Sequence, residues 1–262
     1  MGQHFLVDPF VLEKIIRAAE ISENDVVLEV GPGLGAMTQA LATNAFHVVA
    51  VELDKQLVPV LRELFEEQPV TVIQGDILRL DVRELLAHYN KNIKVVANLP
   101  YYITTPVLFY LFESGLPFES ITVMIQKEVA ERMTAVPGSK AYGSLSLAVQ
   151  YMADTELVAN VPVNCFMPRP GVDSAVVCLK LLKKPRVEGD KDLIFKLIHA
   201  AFGKRRKTLI NALDSEGIGG GKENLEKLIV SCGFDPKVRG ETLSLADYAK
   251  LANNIIQEGN LS

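Results

Sequence analysis

The stretch that decides the fold is residues 27–35, which reads VLEVGPGLG. Its apolar, β-branched start predicts a buried strand, and Gly31, Gly33 and Gly35 follow at alternate positions. Glycine accepts positive φ and lets a backbone approach a ligand closely, and a helix after such a turn offers free N–H groups. The GxGxG spacing differs from the GxGxxG of dinucleotide-binding folds. Taken alone, the stretch fits a plain strand-to-helix turn equally well.

Outward from this turn, short β-branched runs alternate with helical patterns. This alternation predicts a mainly parallel sheet with crossover helices. Runs without polar alternation are typical of strands that are covered on both faces. The predicted strands are residues 26–30, 48–51, 70–73, 95–97 and 121–125, with an edge hairpin of 156–161 and 174–182. Asp8 and Pro9 predict the N-cap and first turn of a helix that precedes the first strand.

Two domains are predicted. A polar, proline-containing segment at residues 183–191 reads as a linker. Only helical patterns follow it, with a break at residues 217–221 (GIGGG) and a capping box formed by Ser244 and Asp247. We therefore predict an α/β domain over residues 1–185 and a small all-helical domain over residues 186–262.

Composition narrows the class of protein. The chain has 262 residues, of which 48% are hydrophobic, and a formal net charge of −5. No apolar run approaches the roughly 18 residues needed to cross a bilayer. The start, MGQHFLVDPF, lacks the features of a secretory signal, and the three cysteines fit neither a disulfide framework nor a zinc site. We therefore expect a soluble, cytoplasmic protein without a metal.

The net charge conceals a basic zone. Residues 165–211 hold eleven Lys or Arg and only four Asp or Glu. A basic zone on an otherwise acidic chain indicates a surface for phosphates.

Polar side chains follow the predicted strands where ligands bind in open α/β sheets. Glu52 ends the second strand and can accept both hydroxyls of a ribose, and Asp76 ends the third and can accept an adenine amino group. The fourth strand ends in Asn98-Leu99-Pro100-Tyr101. The Asn98 side-chain carbonyl and the backbone carbonyl before Pro100 can accept the two hydrogens of an aromatic amine, while Tyr101 offers a face for stacking.

In this order, GxGxG, Glu52, Asp76 and NLPY resemble the S-adenosylmethionine-dependent methyltransferases of amino nitrogens, and more closely the ribosomal RNA adenine N6-dimethyltransferases of the KsgA type. The resemblance covers nearly the whole chain. Further matching stretches are residues 2–6 (GQHFL), 126–129 (QKEV), 139–143 (SKAYG), 166–170 (FMPRP), 172–176 (VDSAV), and Phe202 with 205–209 (RRKTL).

The resemblance implies a Rossmann-like methyltransferase sheet that binds S-adenosylmethionine, with no metal. The implied cofactor contacts are His4, Leu6, Gly31, Gly33, Glu52, Asp76 and Asn98. The implied holders of the target adenine are Asn98, Pro100 and Tyr101, with Phe166 stacking on its other face. This chain departs from the family in having His4 where Asn is common, and the sequence begins almost at the Gly-Gln pair, which a basic arm commonly precedes in the family.

The resemblance further implies dimethylation of adenines in small-subunit ribosomal RNA, with the 30S particle as partner and a monomeric protein. Phosphate contacts are expected from Arg169, Lys204, Arg205, Arg206 and Lys207. An Erm-type enzyme acting on 23S RNA shares the same site motifs. A non-catalytic RNA-binding assembly factor is a second alternative, and a small-molecule or DNA amino-methyltransferase is a third.

Overall fold

The computed structural model describes residues 4–259, so Gly2 and Gln3 of the GQHFL motif lie outside the described residues. The strands are β1 (Phe5–Leu6), β2 (Asp25–Val30), β3 (His47–Glu52), β4 (Val70–Gln74), β5 (Asn92–Asn98), β6 (Phe118–Gln126), β7 (Ala153–Val161), β8 (Phe166–Met167) and β9 (Ser174–Leu181). The helices are α1 (Pro9–Ala19), α2 (Ala36–Asn44), α3 (Leu57–Leu64), α4 (Val82–Leu86), α5 (Thr104–Glu113), α6 (Lys127–Met133), α7 (Ser144–Met152), α8 (Lys191–Gly203), α9 (Leu209–Asp214), α10 (Lys222–Ser231) and α11 (Leu245–Gln257), with 3-10 turns at Val163–Cys165 and Gly240–Thr242.

Seven strands form one sheet in the order β4-β3-β2-β5-β6-β9-β7. The first five strands in that order run parallel, and β9 is antiparallel to β6. The direction of strand addition reverses between β2 and β5. Open α/β sheets bind ligands at such a switch point, beyond the carboxyl ends of the strands.

The central strands are buried, as their unbroken apolar runs predict. All six residues of β2 are buried, and one core cluster packs Val27 and Ala50 of the sheet against Val11, Ile15 and Leu41 of α1 and α2. The predicted cap of α1 is confirmed, because the Asp8 carboxylate accepts the backbone N–H of Phe10 at 2.9 Å.

The edge of the sheet differs from a simple hairpin. β7 and β9 are neighbours, as predicted, but the segment between them contains β8. This short strand pairs antiparallel with β1 in a separate sheet, with Leu6 opposite Phe166. Phe5 and Leu6 are thereby held by a strand partner.

The chain divides into two compact units, Met1–Ala130 with Asp154–Lys183, and Glu131–Ala153 with Lys184–Ser262. The predicted boundary at residues 185 and 186 lies close to the second junction but leaves residues 131–153 in the α/β domain. They group with the helical unit because Tyr142, Leu147 and Tyr151 share its hydrophobic core. The Tyr142 hydroxyl also donates to the Leu243 carbonyl at 2.9 Å.

The described elements of the second unit are helical, apart from Ala153, which begins β7. Its last helix starts with the predicted capping box, since the Asp247 carboxylate accepts both the hydroxyl (2.7 Å) and the N–H (2.9 Å) of Ser244. Within residues 4–259 no helix has the length and apolar character needed to span a membrane.

Candidate active site

The glycine turn lies at the switch point of the sheet. Gly31 has φ 75° and Gly33 has φ 58°, which lie in a region that residues other than glycine rarely adopt. A Cβ on Gly31 would lie 3.8 Å from the Asn98 carbonyl oxygen, and one on Gly33 would lie 3.1 Å from the Phe5 ring. The turn therefore packs next to Asn98 at the end of β5 and next to Phe5 of β1.

Glu52 ties this turn to the end of β3. Its side chain is 3% exposed. One carboxylate oxygen accepts the Gly33 N–H at 3.1 Å, and the other accepts the Asp54 N–H at 2.8 Å. A carboxylate has about four acceptor positions, so each oxygen keeps capacity for one more donor, such as a ribose hydroxyl.

Asp76 follows β4 and is half-buried. One of its oxygens accepts the Leu78 N–H at 3.1 Å, and the other lies 3.6 Å from Nε of the exposed Arg79. The backbone N–H of Gly75 donates to the Glu52 carbonyl at 2.9 Å. This bond holds the ends of β3 and β4 together, so both acidic side chains belong to the same edge of the sheet.

Asn98 is the last residue of β5, between β2 and β6. Its amide nitrogen donates to the His4 carbonyl at 3.4 Å, which leaves the side-chain oxygen as an acceptor. The Pro100 carbonyl already accepts the Ile103 N–H at 3.1 Å. The Leu99 carbonyl, by contrast, accepts none of the hydrogen bonds found among residues 4–259. Two acceptors with spare capacity thus occur side by side in the sequence, on Asn98 and Leu99.

Tyr101 makes one contact through its hydroxyl and another through its ring. Its hydroxyl lies 2.9 Å from the Ser174 hydroxyl. Its ring is stacked with the His4 ring, at a centroid distance of 6.2 Å and an interplanar angle of 25°. The Nδ1–H of His4 in turn donates to the Pro168 carbonyl at 2.8 Å. The His4 ring therefore lies near the Tyr101 ring and roughly parallel to it in this structure.

Phe166, the residue predicted to stack on the base, lies in the hydrophobic core. Its side chain is 3% exposed, and it belongs to the core cluster with Val11, Val161 and Val176. The pairing of β8 with β1 turns Phe166 inward and leaves its neighbour Met167 65% exposed. Phe166 is therefore a core residue in this structure, and its role as a stacking face for the base stays a prediction.

The predicted phosphate contacts fall into two groups. Lys204 lies 3.1 Å from a Glu216 carboxylate oxygen, and Arg205 lies 2.9 Å from Glu241. These two cations are paired with carboxylates of their own unit. The other three predicted contacts, Arg169, Arg206 and Lys207, are exposed and have no ion pair among the described residues.

Sequence reasoning missed one ionisable group near the turn. Glu29 is fully buried, and within residues 4–259 neither of its carboxylate oxygens has a hydrogen-bond partner. Burial raises the pKa of Glu29 to about 8, the charge of Glu52 adds to the rise, and the nearby Thr38 hydroxyl opposes it. A lone acid inside the apolar run VVLEV was the signal that could have identified it. No group of three metal-ligating side chains is found in the described part of the chain.

Comparisons with known proteins find relatives that match nearly the whole chain. The family described as "Ribosomal RNA adenine dimethylase" matches residues 1–257. A ribosomal RNA small subunit methyltransferase A from Lachnoclostridium phytofermentans is 55% identical over 97% of this chain and 90% of its own length. The solved structure of a dimethyladenosine transferase from Plasmodium falciparum is 27% identical, with a TM-score of 0.83 over 98% of this chain and 99% of that one.

The 23S rRNA methyltransferase ErmE has the same fold, with a TM-score of 0.76, 24% identity, and coverage of 97% of this chain and 100% of that one. The match of the family over residues 1–257 decides the assignment. The chain belongs to the ribosomal RNA adenine dimethylase family.

Proposed function

We propose that this chain transfers methyl groups from S-adenosylmethionine to N6 of adenines in small-subunit ribosomal RNA, twice per base. The proposal rests on the residues that meet at the carboxyl ends of four adjacent strands, at the switch point of the sheet. These are the glycine Gly31 and the polar residues Glu52, Asp76 and Asn98. Membership of the family supports the reaction. The name of the 55% identical relative supports the small subunit as substrate.

The residues at these strand ends fit the methyl donor. Glu52 keeps two acceptor positions for the ribose hydroxyls, and its bond to Gly33 holds the turn in place. Asp76 accepts the adenine amino group. Gly31 leaves room next to the Asn98 carbonyl that a side chain would fill. His4 and Leu6 line the site through β1, which is anchored by β8.

The methyl donor supplies an electrophilic methyl group on a positively charged sulfur. The exocyclic amine of adenine is a weak nucleophile because its lone pair is delocalised into the ring. The Asn98 side-chain oxygen and the Leu99 carbonyl accept the two amine hydrogens and favour a pyramidal nitrogen, whose lone pair then points at the methyl carbon. The new C–N bond forms as the S–C bond breaks, and the displaced amine proton leaves to water. Positioning and oriented dipoles provide most of the rate enhancement in such a site.

The target base leaves its stack to reach Asn98, and aromatic contacts compensate for the lost stacking. Tyr101 supplies one such face. The His4 ring lies near the Tyr101 ring in this structure. When a base enters, the His4 ring either moves aside or lines the base-binding pocket. The second methyl transfer uses the same acceptors, although the monomethylated amine offers them only one hydrogen.

The helical unit completes the proposal as the RNA-binding part, in which Arg206 and Lys207 are free to meet phosphates. We further propose that the protein acts as a monomer on the 30S particle in the cytoplasm. An Erm-type activity on 23S RNA is the alternative with the same site motifs. It is less favoured because the relatives that are 55% and 45% identical are named ribosomal RNA small subunit methyltransferase A.

Transfer of a labelled methyl group to isolated small-subunit particles, beside large-subunit RNA, tests the proposal. We expect label in the small subunit only, entering about 10²- to 10³-fold more slowly when Asn98 is replaced by Ala. Label in large-subunit RNA would favour the Erm-type alternative. Binding of S-adenosylmethionine without transfer to either RNA would indicate a non-catalytic assembly factor.

A further inference from the structure

Glu29 is a residue of β2 and precedes Gly31, the first glycine of the turn, by two positions. In the sheet it is opposite Ala50 of β3 and Val96 of β5. It shares a face of β2 with Val27, which packs with residues of α1 and α2. The Thr38 hydroxyl, in the first turn of α2, is also buried and without a hydrogen-bond partner among the described residues.

Within residues 4–259, no cation faces Glu29. α2 has no ionisable side chain, and those of α1 (Glu13, Lys14 and Arg17) are exposed. On β3, Glu52 is negative, and His47 lies at the opposite end of the strand. The Lys94 ammonium of β5 is bound at the start of the sheet, 3.1 Å from Asp25 and 2.7 Å from the Glu20 carbonyl.

A fully buried carboxylate without a counter-ion is unstable, and the nearby Thr38 hydroxyl offsets only part of the cost of burial, so such a group takes up a proton instead. The raised pKa of Glu29, about 8, agrees with this argument from geometry. At neutral pH the free protein therefore holds Glu29 mostly as a neutral acid.

We propose that Glu29 ionises when the sulfonium methyl donor occupies the site and regains its proton once the neutral thioether remains, so that this residue distinguishes the donor from its product. The inference rests on the proposed function, because it needs a cation at the strand ends. Glu29 touches neither the donor nor the reacting atoms and acts as a positioning residue, through its charge. One proton leaves Glu29 for solvent on binding and one returns after transfer, so the proton released by the amine remains the net product.

The link between proton release and binding gives the sign of the pH dependence of donor affinity. Donor binding that removes a proton is favoured as pH rises and levels off above the pKa of the free protein, near 8. Below that value we expect donor affinity to rise up to tenfold per pH unit. The thioether product carries the same amino-acid end but no sulfonium charge, and its affinity is expected to follow pH only through that shared end.

Calorimetric titration at pH 7, in two buffers of different ionisation enthalpy, measures the proton released with S-adenosylmethionine and with S-adenosylhomocysteine. For the unchanged protein we expect a difference approaching one proton between the two ligands. Glu29→Gln should abolish the difference and weaken the preference for the donor. Glu63→Gln, an exposed control on α3, should leave both as they are.

Difference infrared spectra give a second measurement that needs no variant to fold. The carbonyl band of a protonated, buried carboxylic acid should disappear when S-adenosylmethionine is added and persist with S-adenosylhomocysteine. Equal proton release for the two ligands, or an unchanged band, would overturn the inference while leaving the proposed function intact. A protein that binds neither ligand would instead contradict the proposed function.

Discussion

Glu52→Gln is the substitution that examines the methyl-donor site most closely. The carboxylate is 3% exposed and accepts one N–H on each oxygen, from Gly33 at 3.1 Å and from Asp54 at 2.8 Å. Glutamine keeps the size of the side chain but replaces one oxygen with a donor. That NH2 group faces an N–H, so one bond to the backbone is lost, and the negative charge that strengthens the ribose bonds is lost as well.

A hydrogen bond to a charged group contributes about 1.5–3 kcal/mol, which corresponds to a roughly 10- to 150-fold weaker affinity for S-adenosylmethionine. Isothermal titration calorimetry measures this loss, and thermal unfolding checks that the variant is folded. Glu63→Gln provides the matched control on the exposed face of α3. An affinity for Glu52→Gln within twofold of the unchanged protein would refute the assignment of Glu52 to the ribose.

Four further changes probe the rest of the account. Asn98→Ala should lower methyl transfer by about 10²- to 10³-fold, as the loss of one oriented group in an active site does, with the fold retained by circular dichroism; normal turnover would place the amine elsewhere. Phe166→Ala should cost about 3–5 kcal/mol of unfolding free energy because the ring is buried in the core; loss of activity at unchanged stability would instead support the stacking role. Arg206→Gln with Lys207→Gln should flatten the log–log salt dependence of RNA binding by about 1.4–1.8, and an unchanged slope would exclude both as phosphate contacts. Lys94→Met should cost about 3–5 kcal/mol in denaturant unfolding because it leaves a buried carboxylate unpaired, and an unchanged midpoint would contradict that.

The pair of Lys94 and Asp25 also predicts a pH dependence. Burial by itself would raise the pKa of Asp25, but hydrogen bonds from Ser22 and the Lys94 ammonium lower it below its usual value of 3.8. A carboxyl group whose pKa is lower in the folded protein stabilises the fold above its unfolded pKa. We expect that contribution to be lost as pH falls below about 4, and urea unfolding at pH 3 and pH 7 should show a smaller difference for Lys94→Met than for the unchanged protein.

The sheet was readable from sequence because its strands are apolar on both faces and its turns carry glycine. The runs at 26–30 and 48–51 needed no tertiary information, since they are buried by their neighbours whatever the details of packing. The side chains at the strand ends were found by the same logic, because parallel strands bring their carboxyl ends to one edge.

The features that sequence did not reveal depend on long-range packing. Residues 131–153 carry apolar patterns that suit either unit, and only the shared core with Leu197 and Tyr248 assigns them to the helical one. Phe166 became a core residue through its register with Leu6, which is far away in sequence. The ion pairs of Lys204 and Arg205 likewise join partners that no local pattern connects.

The most direct test of the central claim is the nucleoside composition of small-subunit RNA after reaction with this protein and S-adenosylmethionine. Particles that lack adenine methylation would be incubated with the protein, digested to nucleosides and analysed by mass spectrometry. The account predicts N6,N6-dimethyladenosine in small-subunit RNA, formed about 10²- to 10³-fold more slowly with Asn98→Ala. Methylation at another atom or on another base, or dimethyladenosine confined to large-subunit RNA, would contradict it.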